Sequence, residues 1–334
     1  MKKIIYFLLL FLSIPNLALA HVKWFVDTDA VTEKYHETTT FYSWGSKEVI
    51  IWSLIILAVV FLFSLIDRYI KTPKKLLAFG LKHERAINRV AQIVLGVFLI
   101  TVSFIWKVII IPEIQVTDVV TTVLQFLQAF VGVMFVLNIR PQIASFLLFL
   151  FCVGMGVSQG FVAILENAIL VSLSLYFFIV FAKEDSKVFR LFHKHAVEIV
   201  RIGTGISLIT LTFTEKFLYP ELSLQFLSVY HWNFMQMIFP WFTDKLFVLS
   251  TGFAEMIFGI LFILGYLTRI TTISIAIFFA LSVVTMFTQF GHWEVEDLQV
   301  YSAAILFIFY GHGRTKFFYL LWPNSRLQKS IFSK

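Results

Sequence analysis

Ionisable side chains gather in the last third of this otherwise apolar chain, and their spacing limits the chemistry available. Glu215 and Lys216 end one apolar run, Glu255 lies inside the next, and His292, Glu294, Glu296 and Asp297 lead into the last. Each such group costs about 2.5–3.5 kcal/mol inside a bilayer unless it finds a partner or water. Glu255 as a pocket floor, Lys216 as its charge partner, and His292 with Glu296 or Asp297 as proton-exchanging groups would make a proton-handling site. Such a site would serve a lipid-soluble redox partner such as a quinone, or a small sulfur-containing or anionic substrate. The plainer alternative is a Glu255–Lys216 ion pair that locks two helices together. In that alternative, Glu296-Asp297 and the similar Glu166-Asn167 are only helix caps.

Histidine offers a second constellation. If the chain is cut after Ala20, His21 carries a free α-amine beside its imidazole, a pair that chelates copper, and His36, His231 and His292 fall on the same side. No close-spaced pair such as HxH supports them, so spacing alone defines no metal site. The single Cys152 excludes an intrachain disulfide, a CxxC redox pair and a thiolate cluster. P-loop, GxGxxG, GxSxG and CxxCH motifs are absent, which argues against an autonomous enzyme.

The elements that must hold these residues are membrane helices. Hydrophobic residues make up 59% of the chain and charged ones 14%, with 40 Phe, where soluble proteins carry roughly a quarter charged. The net charge of +7 is dispersed in short segments between apolar runs, which excludes a nucleic-acid-binding face. Residues 1–20, with Lys2-Lys3, an apolar run and Ala18-Leu19-Ala20, read as a cleavable signal peptide. Residues 21–47 form an extracytoplasmic arm. Spans are predicted at about 48–66, 91–112, 118–138, 142–164, 166–182, 198–218, 247–266, 270–290 and 297–311. With residue 21 outside, most Lys and Arg fall on the inner side. That places the chain in a bacterial cytoplasmic (inner) membrane with its C-terminus in the cytoplasm. Basic segments at 67–90 and 183–197 read as amphipathic anchors on anionic lipid, residues 312–334 as a cytoplasmic tail, and Tyr219 to Phe242 as an aromatic segment folding back over a site below it.

The chain also repeats itself. Leu99 to Lys107 (LITVSFIWK), followed by Pro112-Glu113, recurs as Leu208 to Lys216 (LITLTFTEK), followed by Pro220-Glu221. Gly132 matches Gly259, Arg140 matches Arg269, and Glu166-Asn167 matches Glu296-Asp297. The fold class is therefore all-α: a leading helix plus two parallel four-helix units, 91–182 and 198–311. Trp106 stands for Glu215 and Gln128 for Glu255, so the first unit reads as the structural copy.

Over about 196–314 the chain resembles the DoxX-like family of four-helix membrane proteins. The resemblance rests on Arg201-Ile-Gly-Thr-Gly, Glu215-Lys216-Phe217, Gly252-Phe-Ala-Glu255, Gly265 to Arg269, Gly291-His292 and Tyr310-Gly311. The family takes its name from a subunit associated with thiosulfate:quinone oxidoreductase. The resemblance thus implies a membrane subunit of a redox system with an extracytoplasmic partner protein. Two other classes compete: a small-solute transporter, and a non-catalytic assembly or metal-handling factor.

Overall fold

The computed structural model describes residues 46–70, 73–233, 235–290 and 297–313. The signal peptide, nearly all of the arm, the tail from 314, and His21, His36, His292, Glu294 and Glu296 lie outside the described residues. Among the described residues, six helical stretches are long and apolar enough to cross a membrane, and Ala168–Val180, Thr268–Ala280 and Leu298–Tyr310 are shorter apolar helices. The chain is a multi-pass helical membrane protein.

The first helix, α1 (Lys47–Tyr69), starts where the Ser46 side chain accepts from Val49 N. A short helix α2 (Lys74–Lys82) follows, and α3 (Glu84–Thr101) ends in a π turn at Val102–Trp106. The predicted span 91–112 is therefore corrected at both ends. Glu84–Arg89 already belong to the helix, and beyond Lys107 the chain turns into a hairpin, β1 (Val108–Ile109) against β2 (Ile111–Gln115). Left-handed backbone at Lys107 (φ 54°) and Ile110 (φ 64°) makes those bends. Helix α4 (Val119–Leu137) begins with a capping box at Asp118 and Thr121. The predicted span 142–164 is broken by Gly160 (φ 91°) into α5 (Pro141–Gln159) and α6 (Phe161–Glu166). Then come α7 (Ala168–Val180), α8 (Lys187–Phe192) and α9 (Ala196–Leu211), which ends in a second π turn at Thr212–Phe217. The aromatic segment holds α10 (Pro220–Tyr230) and α11 (Met235–Ile238). The last helices are α12 (Asp244–Leu264), α13 (Thr268–Phe290) and α14 (Leu298–Tyr310).

Repeated sequence produces repeated contacts. Helices α3 and α4 cross at Gly96 and Gly132, where a Cβ on either would lie 2.7 or 2.8 Å from the other's carbonyl oxygen. Helices α9 and α12 cross at Gly205 and Gly259 in the same way, at 2.6 and 2.9 Å. Without a hydrophobic force between helices in lipid, such close backbone approach is how membrane helices gain contact. Gln92 donates to Phe135 O (2.9 Å), and its counterpart Arg201 donates to Phe262 O and to Ile263 O (3.0 Å). Both side chains add a donor at a helix C-terminus, where Phe135 O and Phe262 O also accept from the Asn138 and Gly265 backbone N–H. Phe135 packs on Phe177 with ring centroids 5.8 Å apart, and Phe262 packs on Phe307 at 5.3 Å. After α4 and α12 the chain turns alike, with Asn138 and Gly265 left-handed, then Arg140 and Leu267. Arg140 thus corresponds to Leu267 and not to Arg269, which instead donates to Ile308 O and Phe309 O. Helix α7 packs on α9 and α14 packs on α3, so the matching last helices each rest on the other pair's first helix.

Candidate functional site

Lys216 stands where the second π turn meets α12. Thr212 Oγ1 donates back to Leu208 O (2.9 Å) and reaches Gly252 O (3.4 Å), holding the turn against that helix. A Cβ at Gly252 would lie 3.1 Å from Lys216 Cβ and 2.8 Å from the Phe217 ring, so glycine is what lets the lysine stem lie flat on α12. From there Lys216 Nζ is 3.0 Å from Glu255 Oε2 and 3.4 Å from Glu215 Oε2. Glu215 is fully buried and Lys216 is 7% exposed, while the Glu255 side chain is 23% exposed. Helix α12 begins at Asp244, capped by Thr243, which puts Glu255 about three turns in.

Helix α10 covers this group from the end of the bundle. Ser223 Oγ donates to Glu215 O (3.0 Å), and Leu222 and Leu227 are buried beneath it. The aromatic segment does fold back over the charged residues as its sequence suggests.

A cavity of about 60 Å³ opens beside Lys216 and Glu255, and Glu166 and Asp297 also line it. The last two sit at matching helix starts, but neither Asn167 nor Asp297 makes a side-chain cap. Asn167 donates back to Ala163 O instead (3.0 Å), and Ser207 Oγ donates to Glu166 O. Glu166 and Asp297 are 3% and 2% exposed. The capping explanation therefore fails for both positions. Thr204, Ser207 and Thr272 add hydroxyls, and Phe262, Phe279 and Phe307 form apolar walls. Ile110, at the tip of the hairpin, reaches the same cavity.

A water needs about 10–15 Å³ of such space, whereas a cavity that takes up benzene measures about 150 Å³. The cavity therefore admits a few waters. A quinone head does not fit unless the aromatic walls move, although a lysine ammonium, carboxyls and aromatic rings are suitable partners for one.

Of the residues the sequence singles out, Glu215, Lys216 and Glu255 meet, and Asp297 joins them through the cavity. His231 does not. It is exposed at the left-handed end of α10 (φ 50°), and among the described residues no three His, Cys, Asp or Glu are arranged to hold a metal. Cys152 is buried among core side chains. Glu166 is the cavity residue the sequence reading passed over, because its position before a helix made it resemble a cap. Comparisons with protein-family models, curated proteins and solved structures return no match for this chain.

Proposed function

We propose that this chain is a DoxX-like membrane subunit of a redox system, and that its Lys216–Glu255 cavity stores and exchanges protons for an extracytoplasmic partner. In this reading a leading helix and two parallel four-helix units make nine spans in a bacterial inner membrane. The Lys216 end then faces outward and the His193 end faces the cytoplasm. The observation that carries the proton-handling reading is the shared lysine: one ammonium lies within 3.4 Å of two carboxyl groups, beside a water-sized cavity lined by two more. Charges in a bilayer persist where each is offset. One lysine shared by two carboxyl groups beside a water-sized cavity brings proton donors and acceptors within reach of water.

The redox setting rests on the family resemblance. Protein purified from its own membrane in mild detergent and extracted with solvent is expected to yield about one quinone per chain, seated with the aromatic walls displaced, and Glu255→Gln is expected to lose it. Native protein that carries no quinone overturns the quinone-linked form of this reading and shifts weight to the transporter and assembly classes.

A further inference from the structure

A second cavity lies in line with the first. It measures about 310 Å³ and sits at the His193 end, walled by Glu84, Tyr176, His193, Lys194, Val197 and Tyr310. Its ionisable groups are Glu84 from α3, Tyr176 from α7, His193 and Lys194 from the turn before α9, and Tyr310 from α14, while α2 adds only Leu77 and Leu81. Glu198, paired with His195 at 3.6 Å, packs against Gly313 on the cavity wall. His193 Nε2 is 3.4 Å from Glu84 Oε1, and both tyrosine hydroxyls point at Asn88 Oδ1, from 2.7 and 3.4 Å.

The two cavities share walls. Along α14, Tyr310 lines the larger cavity and Phe307 the smaller, a separation of about 4.5 Å along the axis. Along α9, Val197 lines the larger and Thr204 the smaller, about 10 Å apart. The side chains that fill the interval are mainly apolar: Phe307 is 1% exposed and packs on Phe262, and Val200 is fully buried nearby on α9, next to the charged, buried Arg201, whose guanidinium is turned onto Phe262 O and Ile263 O. A thin apolar constriction between two polar spaces blocks water while its side chains are in place and passes it when they move.

We propose that the cavity at the His193 end is the vestibule through which protons reach the Lys216–Glu255 cavity, and that the Phe307 ring is the layer separating the two. The inference rests on the proton-exchange reading of the smaller cavity. The repeat supplies a matched control. Phe177 occupies the equivalent place on α7 and packs equally deep on Phe135, yet it lines neither cavity.

The test uses full-length protein in liposomes under a valinomycin-clamped potassium diffusion potential, with a pH-sensitive dye inside. Phe307→Ala is expected to raise proton entry several-fold over native protein and over Phe177→Ala, and adding His193→Ala is expected to reduce that leak. Phe307→Leu, a milder opening, gives an intermediate rate and serves where the alanine variant does not fold. Proton entry no faster than native, an equal leak through Phe177→Ala, or potassium passing as readily without valinomycin overturns the route. The two readings fail separately. A leak in a protein whose Glu255 cluster holds no exchangeable proton sinks the site reading, and no leak beside a protonated cluster sinks only the route.

Discussion

At the crossing of α3 and α4, Gln128 ties the hairpin down with its amide. Its Oε1 accepts from Ile110 N (2.8 Å), and its Nε2 donates to Ser103 Oγ (2.8 Å) and Val108 O (3.3 Å). At the crossing of α9 and α12 the same place is held by Glu255, which meets Lys216 instead. The lysines differ in the same sense. Lys107 is exposed at a left-handed position that ends its π turn, while Lys216 continues inside its turn and is buried. Both pairs keep the glycine crossing and the π turn, so those features belong to the scaffold. What separates the pairs is a neutral amide network in one and a charged group beside a cavity in the other.

Changing the lysines should break this contrast most sharply. Lys216→Met leaves Glu215 and Glu255 without their shared cation, a type of loss that costs about 3–5 kcal/mol when the pair is buried. The matched Lys107→Met removes an exposed charge and should stay within about 0.5 kcal/mol. Thermal unfolding of both variants in detergent checks the pair, and equal losses would mean the two lysines play one role.

The glycine crossings should respond alike. Gly96→Ala and Gly205→Ala each place a methyl within 3 Å of a facing carbonyl, and overpacking of this kind costs about 1–3 kcal/mol. A large difference between them in the same melts would show that the pairs are not equivalent scaffolds.

Gln128→Ala strands the buried Ile110 N–H, for a loss of about 1–3 kcal/mol. It should also loosen the hairpin tip, read as faster amide exchange at Ile110.

The smallest effect lies at Asp118, which caps α4 and has no counterpart in the Thr243 hydroxyl that caps α12. Hydrogen bonds from the Thr121 backbone and side chain lower the Asp118 carboxyl below its ordinary value of 3.8. A depressed acid contributes its stabilisation above the unfolded value and loses it as pH falls through the folded one. Protection of the first turn of α4 should therefore weaken in that acid range. Asp118→Ala should abolish the dependence.

Much of this was legible in the sequence because it depends on apolar run length and on spacing. The repeat from Leu99 and Leu208 pairs Trp106 with Glu215, Gln128 with Glu255 and Gly132 with Gly259, and the two glycines of that last pair each stand at a helix crossing. Three features were not legible. The end of α3 is hidden because Val108 to Ile111 are as apolar as the helix before them, and a left-handed Ile110 has no residue signature. The break at Gly160 is marked only by Ser158-Gln159-Gly160 within a longer apolar stretch, a polar interruption short enough to sit inside a membrane helix. Glu166 and Asp297 have the residue types of helix caps, and only the approach of α9 and α14 turns them toward a cavity. Local pattern marks where a helix starts, but it does not say which way an acid at that start will face.

Infrared spectroscopy of the purified protein in H₂O and in D₂O tests the central claim most directly. A group that stores a proton at Glu255, as proposed, should give native protein a carboxylic acid band that shifts on deuteration. Glu255→Gln should lose that band, while Gln128→Leu should keep it. A native spectrum without the band, or one unchanged in Glu255→Gln, would contradict the account and leave Lys216 and Glu255 as a structural ion pair.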